Sequence, residues 1–258
     1  MPELLEVESY RALSELALGR RISAVATPDL WILKNGTAPS ELRTLVGARL
    51  VASRRTGKRL FLDADDRRTL GLRFGMTGVL ELDDVEGVGQ LQYASRRRDA
   101  KWIRFEIEFD DGGQLRLRDP RRLGGIEMDP DETVLGPDAT AITLGQLRIG
   151  LTSTSPLKAR LMDQRHVAGL GNLLTDELLW RASLDPARSA GSLTPAERRR
   201  LHRHLHTMLE VLMARGGSHM GDLQHARERG AFCPRDGTPL ERRTIGGRTT
   251  YSCPLHQR

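Results

Sequence analysis

Apolar and polar residues alternate most strictly along Ile103-Arg104-Phe105-Glu106-Ile107-Glu108-Phe109, the period of a strand with one buried face. Asp110-Asp111-Gly112-Gly113 follows as a turn, and Leu115 and Leu117 resume the alternation, so a hairpin is predicted. Leu60-Phe61-Leu62 and Val79-Leu80-Glu81-Leu82 read as further strands of a stretch running from 20 to 128. Short strands joined by turns predict a β-sandwich. One helix precedes it. Tyr10, Leu13, Leu16 and Ala17 recur at helical spacing, Pro2 suits a first helical position, and Gly19 suits a stop.

The pattern changes over 129–145, where Asp129-Pro130-Asp131-Glu132 and Gly136-Pro137-Asp138 read as a linker. Helices follow. Thr194-Pro195-Ala196-Glu197 is a capping box with proline at the first helical position. The helix it opens carries Leu201, Leu205, Met208, Leu209 and Leu212 on one face and stops at Gly216-Gly217. From 225 onward the chain is basic and rich in turn residues. The prediction is an α+β multidomain protein: a helix plus β-sandwich over 1–130, a helical domain over 131–224, and a finger-like β-hairpin over 225–258.

A length of 258 residues with 38% hydrophobic content is enough for two modest cores. No apolar run reaches the length of a membrane span, and the acidic start Met1-Pro2-Glu3-Leu4-Leu5-Glu6 lacks a signal-peptide pattern. A cytoplasmic monomer is expected, with no membrane partner and no organic cofactor. The net charge of +6 fits a nucleic-acid partner and fits a general arginine surplus equally well. The tail sharpens this. Over 225–258, seven arginines stand against Glu228, Asp236 and Glu241, a surplus that suits a phosphate backbone.

The same tail holds two donor pairs, Cys233 with Asp236 and Cys253 with His256, separated by sixteen residues. Paired donors at this spacing build a zinc-stapled hairpin, for which thiolate, carboxylate and imidazole all qualify. The alternative is a finger-shaped hairpin that has lost its metal. Upstream, Gly169-Leu170-Gly171-Asn172 allows a tight turn into a helix whose N-terminus suits a phosphate, although alone it reads as a packing joint between helices. At the start, removal of Met1 exposes Pro2 as a secondary amine. Such an amine attacks aldehyde-level carbon to give an iminium, an electron sink. It titrates near pH ~8, and Glu3 and Glu6, three apart, are expected on one helix face beside it. Many chains begin Met-Pro-Glu with no chemistry implied, so the motif needs company.

Six motifs in order supply it. Pro2-Glu3-Leu4-Leu5-Glu6-Val7-Glu8, Gly57-Lys58, Gly75-Met76-Thr77-Gly78, Asp119-Pro120-Arg121-Arg122-Leu123-Gly124, the stretch 156–180 and the Cys233 to His256 tail together resemble the family of formamidopyrimidine-DNA glycosylase and endonuclease VIII. The resemblance implies a base-excision glycosylase with lyase activity on double-stranded DNA carrying damaged bases or abasic sites. It implies that Pro2 attacks the sugar C1′ of a flipped nucleotide, that Glu3 protonates O4′, that Lys58 contacts phosphate and assists proton transfer, and that Glu6 orients the site. Met76, Arg121 and Leu123 would fill the vacated stack. Arg122, Lys158, Asn172 and Arg248 would hold the backbone. One structural zinc ion would sit on Cys233, Asp236, Cys253 and His256. DNA is expected in the cleft between the two domains.

Asp236 and His256 replace two of the family's usual zinc ligands, and three further features depart from its pattern. Leu5 replaces a usual proline, Leu123 stands where a phenylalanine wedge is usual, and the segment from Gly217 to Cys233 is short for a lesion-capping loop. The preferred base is therefore left open. A non-catalytic reader of kinked DNA on the same fold, and an RNA-binding helix–turn–helix protein, are the competing readings.

Overall fold

The computed structural model describes residues 2–89, 91 and 97–258; Met1, on whose removal the Pro2 chemistry depends, lies outside them. Contact density divides the chain into two units, Met1–Glu132 and Thr133–Arg258. No helix among the described residues is long and apolar enough to cross a membrane.

The first unit runs α1 (Leu4–Glu15), β1 (Ile22–Ala26), α2 (Pro39–Arg43), β2 (Leu50–Thr56), β3 (Arg59–Ala64), β4 (Thr69–Arg73), β5 (Val79–Leu82), β6 (Val85–Glu86), β7 (Ile103–Phe109), β8 (Gln114–Arg118) and β9 (Gly125–Met128). One sheet has the order β1-β7-β8-β5-β6 and the other β2-β3-β4-β9. Leu80, Phe105, Ile107, Leu115 and Leu117 of the first share a core with Leu60, Leu62, Leu70, Leu72 and Ile126 of the second, which makes the sandwich. The predicted hairpin forms as β7 and β8, with Phe105 opposite Leu117 and Ile107 opposite Leu115.

Helix α1 lays Val7, Tyr10 and Leu13 on this core. It begins later than the sequence suggests. Glu3, with extended φ −106° and ψ −168°, is the cap, and Leu4 is the first helical residue. The Glu6 carboxylate reaches back to accept the Glu3 N–H at 2.8 Å, and this bond fixes the cap. Pro2 therefore precedes the helix. Glu3 and Glu6 are a cap and its partner, not two residues stacked on one face.

The second unit contains α3 (Leu144–Gly150), α4 (Leu157–Met162), α5 (Asn172–Ala182), α6 (Pro195–Arg215) and the hairpin β10 (Glu241–Ile245) with β11 (Arg248–Ser252). The capping box of α6 is present: Glu197 N–H donates to Thr194 Oγ1 at 3.3 Å and Thr194 N–H to the Glu197 carboxylate at 2.7 Å. Gly216, at φ +103°, ends the helix. The hairpin turns at Gly246-Gly247, both at positive φ. A Cβ at Gly246 would lie 2.8 Å from the Ala159 Cβ, so the turn packs closely on α4.

Candidate functional site

Pro2 is buried where the chain enters α1, and Glu3 and Glu6 are 0% and 3% exposed. Pro2 and the two carboxylates thus lie buried within a few residues of one another, an arrangement able to support acid–base chemistry if the Pro2 nitrogen is a free amine. Lys58 is half-buried in the tight turn between β2 and β3, which Gly57 makes at φ +59°.

Two loops of this unit lock together. Gly75, at φ +56°, abuts the other loop so closely that a Cβ there would lie 2.4 Å from the Leu123 carbonyl carbon. The Asp119 side chain, fully buried, joins them. One of its oxygens accepts the Thr77 hydroxyl at 2.6 Å and Arg121 N–H at 3.2 Å. The other accepts Leu123 N–H at 2.8 Å and Gly124 N–H at 2.7 Å. Four donors on one carboxylate hold a backbone bend in which Arg122 takes φ +56°, a conformation L-residues seldom adopt unaided. The result leaves Met76 half-buried and Arg121, Arg122 and Leu123 exposed. Arg122 makes a two-pronged pair with Asp29, at 2.6 and 2.8 Å. Those hydrogen bonds hold the Asp29 carboxyl below its ordinary range against the opposing effect of burial. The role of Asp119 is missed from sequence alone, although Asp in a turn is a residue whose side chain commonly bonds its own loop. Asp29 had no such signal, because its partner is distant in sequence.

In the second unit Asn172 opens α5, with Gly171 as the cap. The turn before it is stapled by Gln164, which donates to the Met162 and Leu170 carbonyls at 2.8 and 3.0 Å and accepts Gly169 N–H at 2.9 Å. The Asn172 Oδ1 is buried with no hydrogen-bond partner among the described residues. Arg248 begins β11 and is exposed.

Lys158 departs from expectation. It is fully buried, 2.6 Å from the Asp176 carboxylate, and donates to Thr250 Oγ1 at 2.8 Å and the Thr249 carbonyl at 3.1 Å. Asp176 also takes Arg227 at 2.8 Å. An ammonium enclosed this way cannot reach a phosphate; its work is to tie α4, α5 and β11 together. Sequence reasoning missed this because the partners lie far apart along the chain.

The hairpin brings its four donors together. Donor atoms of Cys233, Asp236, Cys253 and His256 all lie within 4.8 Å of one another. Tetrahedral bonds of roughly 2.0–2.3 Å separate ligand atoms by roughly 3.3–3.8 Å. Cys253 Sγ is 3.3 Å from Asp236 Oδ2, and Cys233 Sγ is 3.8 Å from His256 Nδ1. The His256 Nδ1 to Asp236 Oδ2 distance is shorter, at 2.6 Å, a hydrogen bond. Burial would raise the Asp236 carboxyl, but bonds from Thr238 and His256 outweigh it and hold it well below the carboxylate range. The donor set and its spacing fit a metal ion. Trp180 Nε1 donates to Cys233 Sγ at 3.3 Å, linking the cluster to α5. The 217–233 segment, short for a cap, is ordered into two helical turns, Ser218–Met220 and Gln224–Ala226. Glu177 anchors it by accepting Asp222 and Leu223 N–H at 3.1 and 2.8 Å.

Comparison with known proteins agrees with this geometry. The family model for the formamidopyrimidine-DNA glycosylase N-terminal domain matches residues 1–126, and that for its H2TH domain matches residues 135–223. The formamidopyrimidine-DNA glycosylase of Paracoccus denitrificans is 35% identical, with both chains covered in full. That of Arabidopsis thaliana is 31% identical over all of this chain and 71% of its own. Among solved structures, Lactococcus lactis Fpg bound to DNA containing an abasic site is similar at TM-score 0.84 and 25% identity, covering all of both chains. The same protein with Fapy-dG-containing DNA is similar at TM-score 0.83 and 26% identity, covering 99% of this chain and all of that one. The chain belongs to the formamidopyrimidine-DNA glycosylase family.

Proposed function

We propose that this protein is a base-excision DNA glycosylase that also cleaves the abasic strand, acting on oxidised or ring-opened bases in double-stranded DNA. The observation that carries the reading is the enclosure of Pro2 beside two buried carboxylates at the start of α1.

With Met1 removed, the Pro2 nitrogen attacks C1′ of a nucleotide turned out of the stack. The bond from C1′ to the base breaks and the base departs with a proton. Glu3 protonates O4′ as the sugar ring opens, which leaves an iminium between Pro2 and C1′. Loss of a C2′ proton to a nearby base then expels the 3′ phosphate, and a second elimination expels the 5′ phosphate. Water hydrolyses the iminium and returns the amine. Glu6 holds the Glu3 backbone, and so the position of the cap, throughout. Lys58 steadies phosphate and assists proton transfer. Arg121, Leu123 and Met76 fill the gap in the stack. Asn172 and Arg248 contact the backbone, and Arg122 joins them through the guanidinium edge that Asp29 leaves open.

One zinc ion on Cys233, Asp236, Cys253 and His256 would hold the hairpin's fold and takes no part in the chemistry. The domain limits we favour are 1–130, 131–224 and 225–258.

A nicking panel tests the reading. Duplexes with an oxidised purine, an oxidised pyrimidine, a ring-opened purine or an abasic site should be cut at the lesion, leaving phosphate on both flanking ends. Tight binding with no cut on any of them would favour a non-catalytic reader of damaged DNA.

A further inference from the structure

We propose that Trp31 is a base-stacking surface for damaged DNA beside the 119–124 loop, an assignment that rests on the DNA-repair reading above. Trp31 lies on the short helical turn Leu30–Ile32. Its side chain is 64% exposed and that of Leu30 62%, while Ile32 between them and the sheet is fully buried. The exposure is built in. Asp29 caps the turn by accepting Trp31 N–H at 3.1 Å, and Lys34 N–H donates to the Ile126 carbonyl of β9 at 3.0 Å. These bonds fix the backbone of the turn, and with it the exposed neighbours Leu30 and Trp31, as an adjoining apolar pair at the surface.

The surroundings say which. Asp29 grips Arg122, whose guanidinium lies 5.9 Å from the indole centre, and the Lys34 ammonium lies 5.0 Å from it. Arg104 stands 3.5 Å from Asp29. Two cations thus flank the Asp29 carboxylate and a third lies against Trp31, and Leu123, the residue after Arg122, is 51% exposed. A largely exposed indole with two cations over its ring suits a nucleobase attached to a phosphate backbone, the base taking the ring and the phosphate drawing the cations. Leu123, an aliphatic wedge, can part a base step but offers no π face. A base freed from the stack by that wedge finds one on Trp31. Intact duplex, whose bases stay stacked, does not use it, so Trp31 contributes to lesion selectivity.

The test uses the full chain and two labelled duplexes, one carrying a tetrahydrofuran abasic analogue and one undamaged. Trp31→Ala should weaken binding to the analogue duplex by about tenfold, while changing undamaged binding by less than about twofold. Trp31→Phe, which keeps an aromatic face, should stay within about twofold of the parent on both. In the parent complex a 2-aminopurine placed opposite the lesion should be quenched, and Trp31→Ala should restore its fluorescence. Equal loss on both duplexes would reduce Trp31 to a general contact, and no loss on the analogue would remove it from the interface; either overturns the proposal while the repair reading stands. A parent protein that fails to prefer the analogue duplex would overturn both.

Discussion

The Thr77 hydroxyl donates to the buried Asp119 carboxylate at 2.6 Å, and through that bond the loop carrying Met76 sets the position of the loop carrying Arg121 and Leu123. Asp119→Asn places an amide NH2 against backbone N–H donors. It should cost about 1–3 kcal/mol of stability in urea unfolding and weaken binding to abasic DNA beyond that of undamaged duplex. Parent-like stability would mean that the carboxylate does not organise the loops.

Burial separates Lys158 from the exposed Arg248 proposed to contact phosphate, and salt dependence reads the difference. Arg248→Ala should lower the slope of log affinity against log salt by about one, as expected when one phosphate contact is lost. Lys158→Met should leave that slope unchanged. It should instead destabilise the second unit, by about 3 kcal/mol, because Asp176 loses a buried partner. A reduced slope in Lys158→Met would place its ammonium on DNA after all.

Acid should loosen the second unit through Glu197. Its carboxyl is pulled from 4.5 down to about 2, chiefly by the hydrogen bond from Arg188. A lowered folded value means the stabilisation is complete above pH 4.5 and is lost as the pH falls from there towards about 2. Unfolding followed over this window should show a smaller pH dependence in Glu197→Gln. An unaltered pH profile would exclude Glu197 as a source of it.

Metal removal should act locally. Elemental analysis should find about one zinc ion per chain. Chelation should change the fluorescence of Trp180, which touches Cys233, and should weaken DNA binding while the sandwich stays folded. A metal-free preparation with unchanged Trp180 emission and unchanged affinity would show that hydrogen bonds such as that between His256 and Asp236 suffice.

Much of this molecule is legible from residue order because its signals are local. The alternation over 103–109 became β7, and the Thr194 to Glu197 box became the start of α6. The cluster of four donor side chains is readable because two short turns each carry a pair of them. What stayed hidden is non-local. Asp29 meets Arg122 across 93 residues, and Lys158 meets Thr250 across 92. A lone lysine in sequence looks like a solvated charge or a phosphate contact, and only packing shows it enclosed. The start of α1 was misplaced for a different reason. Proline at a first helical position is a sound rule, but the Glu6 carboxylate bonding Glu3 N–H sets the cap at Glu3, two residues later than that rule places it.

Borohydride trapping on abasic-site DNA, comparing the Met1-processed protein with a variant whose N-terminus is blocked by a retained extension, tests the central claim most directly. The account predicts a covalent complex with the processed protein, its linkage mapping to Pro2, and neither complex nor strand cleavage with the blocked one. Trapping and cleavage that survive the block would show that another amine is the nucleophile.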